Sequence, residues 1–371
     1  METIVIIGAG AIGRGFLPWV LKENQYRLIF VDANPSLIQR LRVRGCYTSF
    51  MAKGALELVS KKISLEAAYL PAEFDLTKIP CPATCFVAVG PRRVTEAARL
   101  LQGYQGPIIL LENDDKCVDL VKATLGQENI FFAIPDVIAS NTASAEHLEL
   151  DPLALHTEQG VLYVDARARC VEGEINYCSE EELGRQWVAK SCLHNTPHCI
   201  AAYLGALLQR KYIHEAMAIP CAKAVVNGSI DEMLKALKLG WDIPHVFLDW
   251  YAEKELKRFS NNRLCDPVAR VAREPFRKLH LDGRLVGAAL MCMRVGFVPV
   301  NILLGIVAAL FYDEGSDPDR HILFAKEFLP PEILFSYLLG LRPGEPLHSI
   351  LTENISELIS RLQKIKKSTP R

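Results

Sequence analysis

The strongest constraint on the fold lies in the first thirty-four residues, where a glycine-rich turn follows a β-branched run and a second run comes after it. Residues 3–7 are all β-branched and stop at a glycine. A second run, 27–31, follows a segment of helical character and ends at Asp32. A strand, a helix and a second strand in this order predict one unit of a doubly wound parallel sheet. Gly8, Gly10 and Gly13 have the GxGxxG spacing, and each has a physical task. The first permits the tight turn, the second lets backbone approach a pyrophosphate, and the third allows close packing of helix on strand. Amides of the following helix would face the phosphates. Asp32 stands where a carboxylate accepts from a ribose 2′-hydroxyl and repels a 2′-phosphate, so the expected cofactor is NAD rather than NADP.

The 371 residues, half of them hydrophobic, leave room for two or three domains with a sizeable core. Lys plus Arg number 42 against 43 Asp plus Glu, a net charge of −1, which offers no global attraction to nucleic acid or to an anionic membrane. Eleven cysteines run from Cys46 to Cys292 without a CxxC pair, so reduced thiols in a cytoplasmic protein are expected. Glu2 and an immediate strand do not resemble a signal peptide. The longest uncharged stretch, 295–312, contains Pro299, Asn301 and two glycines, and reads as a buried core helix rather than a membrane span.

Further along, the expected order is a helix at 35–44, strands within 46–65, a core strand within 81–91, a helix at 94–102 and a strand within 106–111. That strand ends at Glu112-Asn113-Asp114-Asp115, beyond the carboxyl end of a parallel strand, where such sheets bind ligands. Asn113 is equally well placed to cap a helix starting near Asp115. Another strand is expected at 129–138, and short strands between 148 and 176 suggest a small sheet extension. Ser179–Glu182 spells a capping box, after which almost every segment has helical periodicity. The predicted fold class is therefore α/β, a doubly wound Rossmann-type sheet over 1–178 followed by a mainly α-helical domain over 179–371. Its last helix spans 346–367, and 315–320, GSDPDR, reads as an exposed loop.

Two groups of residues carry candidate chemistry. Lys190, His194, Asn195 and His198 lie within nine positions. Pro197 predicts one helix ending near His194 and a second with Thr196 as cap. A lysine buried beside a cofactor can act as general base for an alcohol proton, and Asn195, with Asn113, can donate to the developing alkoxide. His198 can orient substrate. The plain alternatives are a solvated lysine and a structural histidine. His194 and His198 have a spacing that can hold zinc, but neither a following glutamate nor a cysteine pair supports a metal site, and none is expected. The second group is basic: Arg258, Arg263, Arg270, Arg273, Arg277, Lys278 and Arg284. It fits an anion such as phosphate, or a solvated face paired with Asp266, Glu274 and Asp282. No nucleic-acid motif accompanies it.

GAGAIGRGF at 8–16, AVGP at 88–91, EN at 112–113, K-x4-N-x2-H at 190–198 followed by AYLG, RFSN at 258–261 and RVAREPFRKL at 270–279 occur in order. Together they resemble the polyol-specific long-chain dehydrogenase/reductase family over nearly the whole chain, and the length resembles its short, phosphate-using branch. The resemblance implies a Rossmann domain followed by a helical substrate domain. It also implies an NAD-dependent enzyme that interconverts mannitol 1-phosphate and fructose 6-phosphate by hydride transfer without zinc. Lys190 looks like the general base, Asn113 and Asn195 like the alkoxide-stabilising pair, and His198 like the substrate-orienting histidine. Cofactor contacts would come from Gly8, Gly10, Ala11, Ile12, Gly13, Asp32, Val89 and Gly90. Arg258, Arg273, Arg277 and Lys278 would meet the substrate phosphate. The expected partners are a small polyol or ketose phosphate, with neither nucleic acid nor membrane, and the state is a monomer or homodimer. The chain departs from the family pattern at 134–138, IPDVI, which lacks an arginine, and at Pro197. These departures leave open another polyol, sugar phosphate or hexuronate as substrate, or a non-catalytic NAD-binding relative.

Overall fold

The computed structural model describes residues 1–79, 82–169, 171–315, 317–319 and 327–367, and the side chains of all of these except 82, 83 and 332. The chain divides into two compact units. The first comprises residues 1–187 together with Arg263–Cys265, and the second comprises residues 188–262 and 266–371.

The first unit is built on an eight-stranded sheet. Its strands are β1 (Glu2–Ile7), β2 (Tyr26–Val31), β5 (Ala67–Tyr69), β6 (Pro82–Val87), β7 (Ile108–Leu110), β8 (Ile130–Asp136), β10 (Val161–Asp165) and β11 (Ile175–Cys178). The spatial order is β11-β10-β8-β7-β6-β1-β2-β5. From β5 to β8 every neighbouring pair is parallel, which is the doubly wound order of a Rossmann fold. The segment at 161–165 extends this same sheet, with β10 antiparallel to β8 and β11 parallel to β10. A second sheet of three strands joins β3 (Cys46–Lys53), β4 (Glu57–Ser64) and β9 (Leu155–Glu158) in the order β4-β3-β9.

The central strands read as continuous apolar runs because both faces are covered. Ile4 and Ile6 of β1 enter one core layer with Phe16, Leu17, Ile38 and Leu41. Val5 and Ile7 enter the other with Val94, Ala98, Leu101 and Val121. Alternation along a parallel strand buried on both sides produces this division.

The second unit is helical. Its buried centre is the helix Thr196–Leu207, packed against Pro220–Gly240, Val268–Ala272 and Val300–Leu310. Within the stretch 295–312 the helix starts only at Val300, after Pro299, and Ile302 to Leu310 are buried. No described helix is long and apolar enough to cross a membrane. The last helix is Pro346–Lys367. The nine described cysteines are all free thiols. The expected exposure of one loop needs correction. In the segment 315–320, of which Ser316 and Arg320 lie outside the described residues, Asp317 and Asp319 are buried rather than exposed. Their carboxylates accept backbone amides, which supplies the partners that burial demands.

Candidate active site

The glycine turn has the stereochemistry its spacing predicts. Gly8 has φ +101°, and a Cβ there would meet the Ala88 carbonyl oxygen at 2.3 Å. A Cβ on Gly13 would lie 2.0 Å from the Gly8 oxygen, the close packing that the third glycine permits. A Cβ on Gly10 would meet nothing within 4 Å, so the backbone there faces open space of the kind a pyrophosphate needs. The helix that follows opens with a π-helical stretch, Ala11–Phe16, which holds Ala11 and Ile12, before turning α-helical at Leu17–Val20. Asp32 accepts from the Ala9 amide at 2.8 Å and from the Asn34 amide at 2.8 Å, so the carboxylate is fixed at the end of β2. These residues fit a dinucleotide.

Two buried charges brace this turn and the one after β6. Arg14 donates to the carbonyls of Ala9 and Leu153, and burial lowers its pKa. Glu112 accepts the amides of Val89 at 2.8 Å and Gly90 at 3.0 Å, which pins the turn after β6. With those amides engaged, any contribution of Val89 and Gly90 to a cofactor comes from the surface of the turn rather than from their N–H groups. Asn113 is exposed beyond β7. The helix after it is Cys117–Leu125 with Lys116 at the cap position, so Asn113 is not its N-cap.

In the second unit the chain does not break at Pro197. A π-helical stretch, Lys190–Asn195, passes directly into Thr196–Leu207, and the Thr196 amide bonds to the Ser191 carbonyl, five residues back. Thr196 is helical rather than a cap. The missing N–H of Pro197 falls in the first turn of the new segment, where it is tolerated, and the wide turn lies just ahead of it. The Thr196 hydroxyl bonds to the Ser191 carbonyl at 3.2 Å and the Arg284 carbonyl at 2.8 Å. Lys190, Asn195 and His198 are brought together on this one element, each no more than 5% exposed.

Behind the two histidines stand parallel charge chains. His198 Nε2 lies 2.7 Å from Asp266 Oδ2, and Asp266 Oδ1 accepts from Arg270 at 3.0 and 2.5 Å. His194 Nδ1 lies 2.6 Å from Glu255 Oε2, and Glu255 pairs with Arg258. The rings are 4.9 Å apart, and His198 stacks on Phe259. Burial lowers the His198 pKa, opposed by Asp266, so its neutral form is favoured. For Asp266, burial raises the pKa, but Arg270 and His198 outweigh it and hold the carboxyl at about 2. The ionised carboxylate beside Nε2 accepts a hydrogen bond from the Nε2–H, so the ring proton of neutral His198 stays on that nitrogen and Nδ1 is left as an acceptor for a hydroxyl group.

The basic residues divide. Arg258 pairs with Glu255, while Arg273, Arg277 and Lys278 lie in the segment around the short helix Pro275–Leu279. Burial brings the Lys278 pKa down to about 7, with Arg284 and Arg277 adding repulsion, and that of Arg284 down to about 10, again with Arg277 contributing. Glu274 lies 3.4 Å from Arg277 as a carboxylate partner. Lys278 donates to the carbonyls of Val271 and Arg273. Among the described residues no three His, Cys, Asp or Glu side chains are arranged to hold a metal ion. Sequence reasoning did not find Glu255 or Arg14; it placed Glu112 at the end of a strand without its role as a brace, and Asp266 as a partner of the basic group but not of a histidine.

A glycine-turn nucleotide unit, joined in one chain to a helical unit with a buried lysine, asparagine and histidine, defines a nicotinamide-dependent dehydrogenase. Residues 2–105 match the model of the mannitol dehydrogenase Rossmann domain, and residues 188–327 match that of the mannitol dehydrogenase C-terminal domain. The mannitol-1-phosphate 5-dehydrogenase of Brevibacillus brevis is 30% identical, with 95% of this chain and 97% of its own length aligned. That of Caldanaerobacter subterraneus subsp. tengcongensis is 28% identical over 84% and 86%. The chain belongs to the mannitol dehydrogenase family and is an NAD-dependent polyol dehydrogenase.

Two solved structures share the fold at 14% identity. Pseudomonas fluorescens mannitol 2-dehydrogenase, in a ternary complex with NAD and D-mannitol, matches with a TM-score of 0.78 over 99% of this chain and 95% of that one. D-sorbitol dehydrogenase in substrate-free form matches with 0.63 over 98% and 92%.

Proposed function

We propose that this dehydrogenase interconverts mannitol 1-phosphate and fructose 6-phosphate, with Lys190 as general base. The observation that carries the reading is the helix segment 190–198, which buries Lys190, Asn195 and His198 together and backs His198 with Asp266 and Arg270. Gly8, Gly10, Gly13 and Asp32 would hold NAD, which when bound supplies the hydride acceptor. In the oxidative direction the Lys190 amine takes the proton from the alcohol. Asn195 donates to the oxygen on which negative charge develops, and we assign Asn113 as a further donor of the same kind. His198, held neutral, accepts from a neighbouring substrate hydroxyl through Nδ1.

The phosphate reading rests on Arg273, Arg277 and Arg284. Arg277 lies close enough to Arg284 to repel it, a repulsion that a bound anion would relieve, and the planar guanidinium fork suits a phosphate. Lys278 supports the turn that carries them, and Arg258 supports His194. The relatives named as mannitol-1-phosphate 5-dehydrogenases favour the same substrate.

The test is to mix the protein with NADH and fructose 6-phosphate and follow nicotinamide oxidation. Turnover is expected there, and turnover only with fructose or a hexuronate overturns the phosphate assignment. Lys190→Ala should lower kcat by about two to four orders of magnitude while NADH affinity is retained. A severalfold effect removes the lysine from the role of base.

A further inference from the structure

The segment that carries Arg273 and Arg277 is held in a conformation its sequence does not favour. Glu274 sits at φ +58°, ψ +59°, the left-handed region, which is disfavoured for a residue with a side chain. Such a conformation persists only where its surroundings over-determine it. Here two buried carboxylates do so: Asp317 Oδ2 accepts the Glu274 amide at 3.1 Å, and Asp319 Oδ2 accepts the Phe276 amide at 3.1 Å. Asp317 Oδ1 in turn accepts the Asp319 amide at 2.9 Å, so the two aspartates are set relative to each other. Lys278 in turn donates to the carbonyls of Val271 and Arg273. The turn thus has its amides gripped by two anions and its carbonyls by one amine, and the guanidinium-bearing residues 273 and 277 flank the gripped point.

We propose that Asp317 and Asp319 are positioning residues that set substrate specificity, by holding the Arg273–Glu274–Pro275 turn so that Arg273 and Arg277 meet the anionic group of a phosphorylated polyol. The proposal rests on the phosphate reading above. Neither aspartate touches substrate. Their effect passes through the backbone of residues 274 and 276, so it falls on the phosphorylated substrate and spares both the cofactor and an unphosphorylated one.

The experiment compares wild type, Asp317→Ala, Asp319→Ala, the double variant D317N/D319N and Arg277→Ala in steady-state reduction of fructose 6-phosphate and of fructose. For each alanine variant KM for fructose 6-phosphate should rise about tenfold or more, with kcat within about twofold and KM for NADH and fructose unchanged. The double asparagine variant keeps acceptor oxygens but loses charge, so it should fall between, at about threefold or more. It also decides the matter if the alanine variants do not fold. An unchanged KM for fructose 6-phosphate in a folded variant overturns the proposal, as does an equal rise for fructose and NADH. Arg277→Ala separates the two readings. If it leaves KM for fructose 6-phosphate unchanged, the phosphate assignment itself falls. If it raises that KM while the aspartate variants do not, only the positioning role falls.

Discussion

Gly10 and Gly13 belong to one motif but fail differently when changed. A Cβ at Gly13 would collide with the rigid Gly8 carbonyl, so Gly13→Ala should destabilise the protein by about 1–3 kcal/mol or more, visible as a lower urea midpoint. Gly10 has ordinary φ and open surroundings, so Gly10→Ala should leave stability within about 0.5 kcal/mol. Its methyl group would stand where the pyrophosphate must come, and NADH affinity should fall about tenfold or more in a titration of nicotinamide fluorescence. A G10A variant that binds NADH normally would show that the cofactor approaches elsewhere. This part of the site was legible because glycine spacing reports local backbone sterics. The braces behind it were not, since Arg14 reaches the Leu153 carbonyl and Glu112 the turn after β6, and sequence separation hides both contacts.

The turn around Glu274 and the wide helical turn before Thr196 show what periodicity misses. The proline rule excludes a continuous α-helix through Pro197 but says nothing of a π-helical register that admits one, so the sequence reads as a break. The composition of 315–320 suggests exposure because aspartate is usually solvated; partner amides 43 residues away reverse it. At this scale Lys278 also sets a pH dependence. Burial lowers its pKa from 10.5 to about 7, so between these values the unfolded chain binds the proton and the folded one does not. Stability therefore rises with pH across that window, by up to about 1.4 kcal/mol per unit, and falls as pH drops toward 7. Urea midpoints at pH 7 and 8.5 should show the slope, and Lys278→Met should flatten it. An unchanged slope in that variant would assign the dependence to other groups.

For the molecule as a whole, NADH binds only the folded state. At a hundred times its Kd it should stabilise the protein by about 2.7 kcal/mol, and NADPH at equal concentration by much less, because Asp32 repels a 2′-phosphate. A thermal-shift series with both cofactors checks this, and Asp32→Ala should bring the two shifts together. Equal shifts in the wild type would mean that Asp32 does not read the ribose. The order of strands and helices in the first unit was legible from short apolar runs bounded by turn residues, alternating with segments of helical character. What escaped was the antiparallel placement of β10 beside β8 and the assignment of Arg263–Cys265 to the first unit, both set by contacts distant in sequence.

The two π-helical stretches also bear on which chain lengths the protein tolerates. A π turn behaves as an α-helix with one residue too many, bulged out while the helix on either side keeps its register. Losing one residue from 11–16 or from 190–195 would therefore leave a more regular helix, with both flanks still seated in their cores. What would disappear is the wide turn that brings the side chains of Lys190 and Asn195, five residues apart, toward one side of the helix axis, or that shapes the backbone after Gly10. Deletions that the fold accepts most readily are thus, at these two places, the ones that activity accepts least.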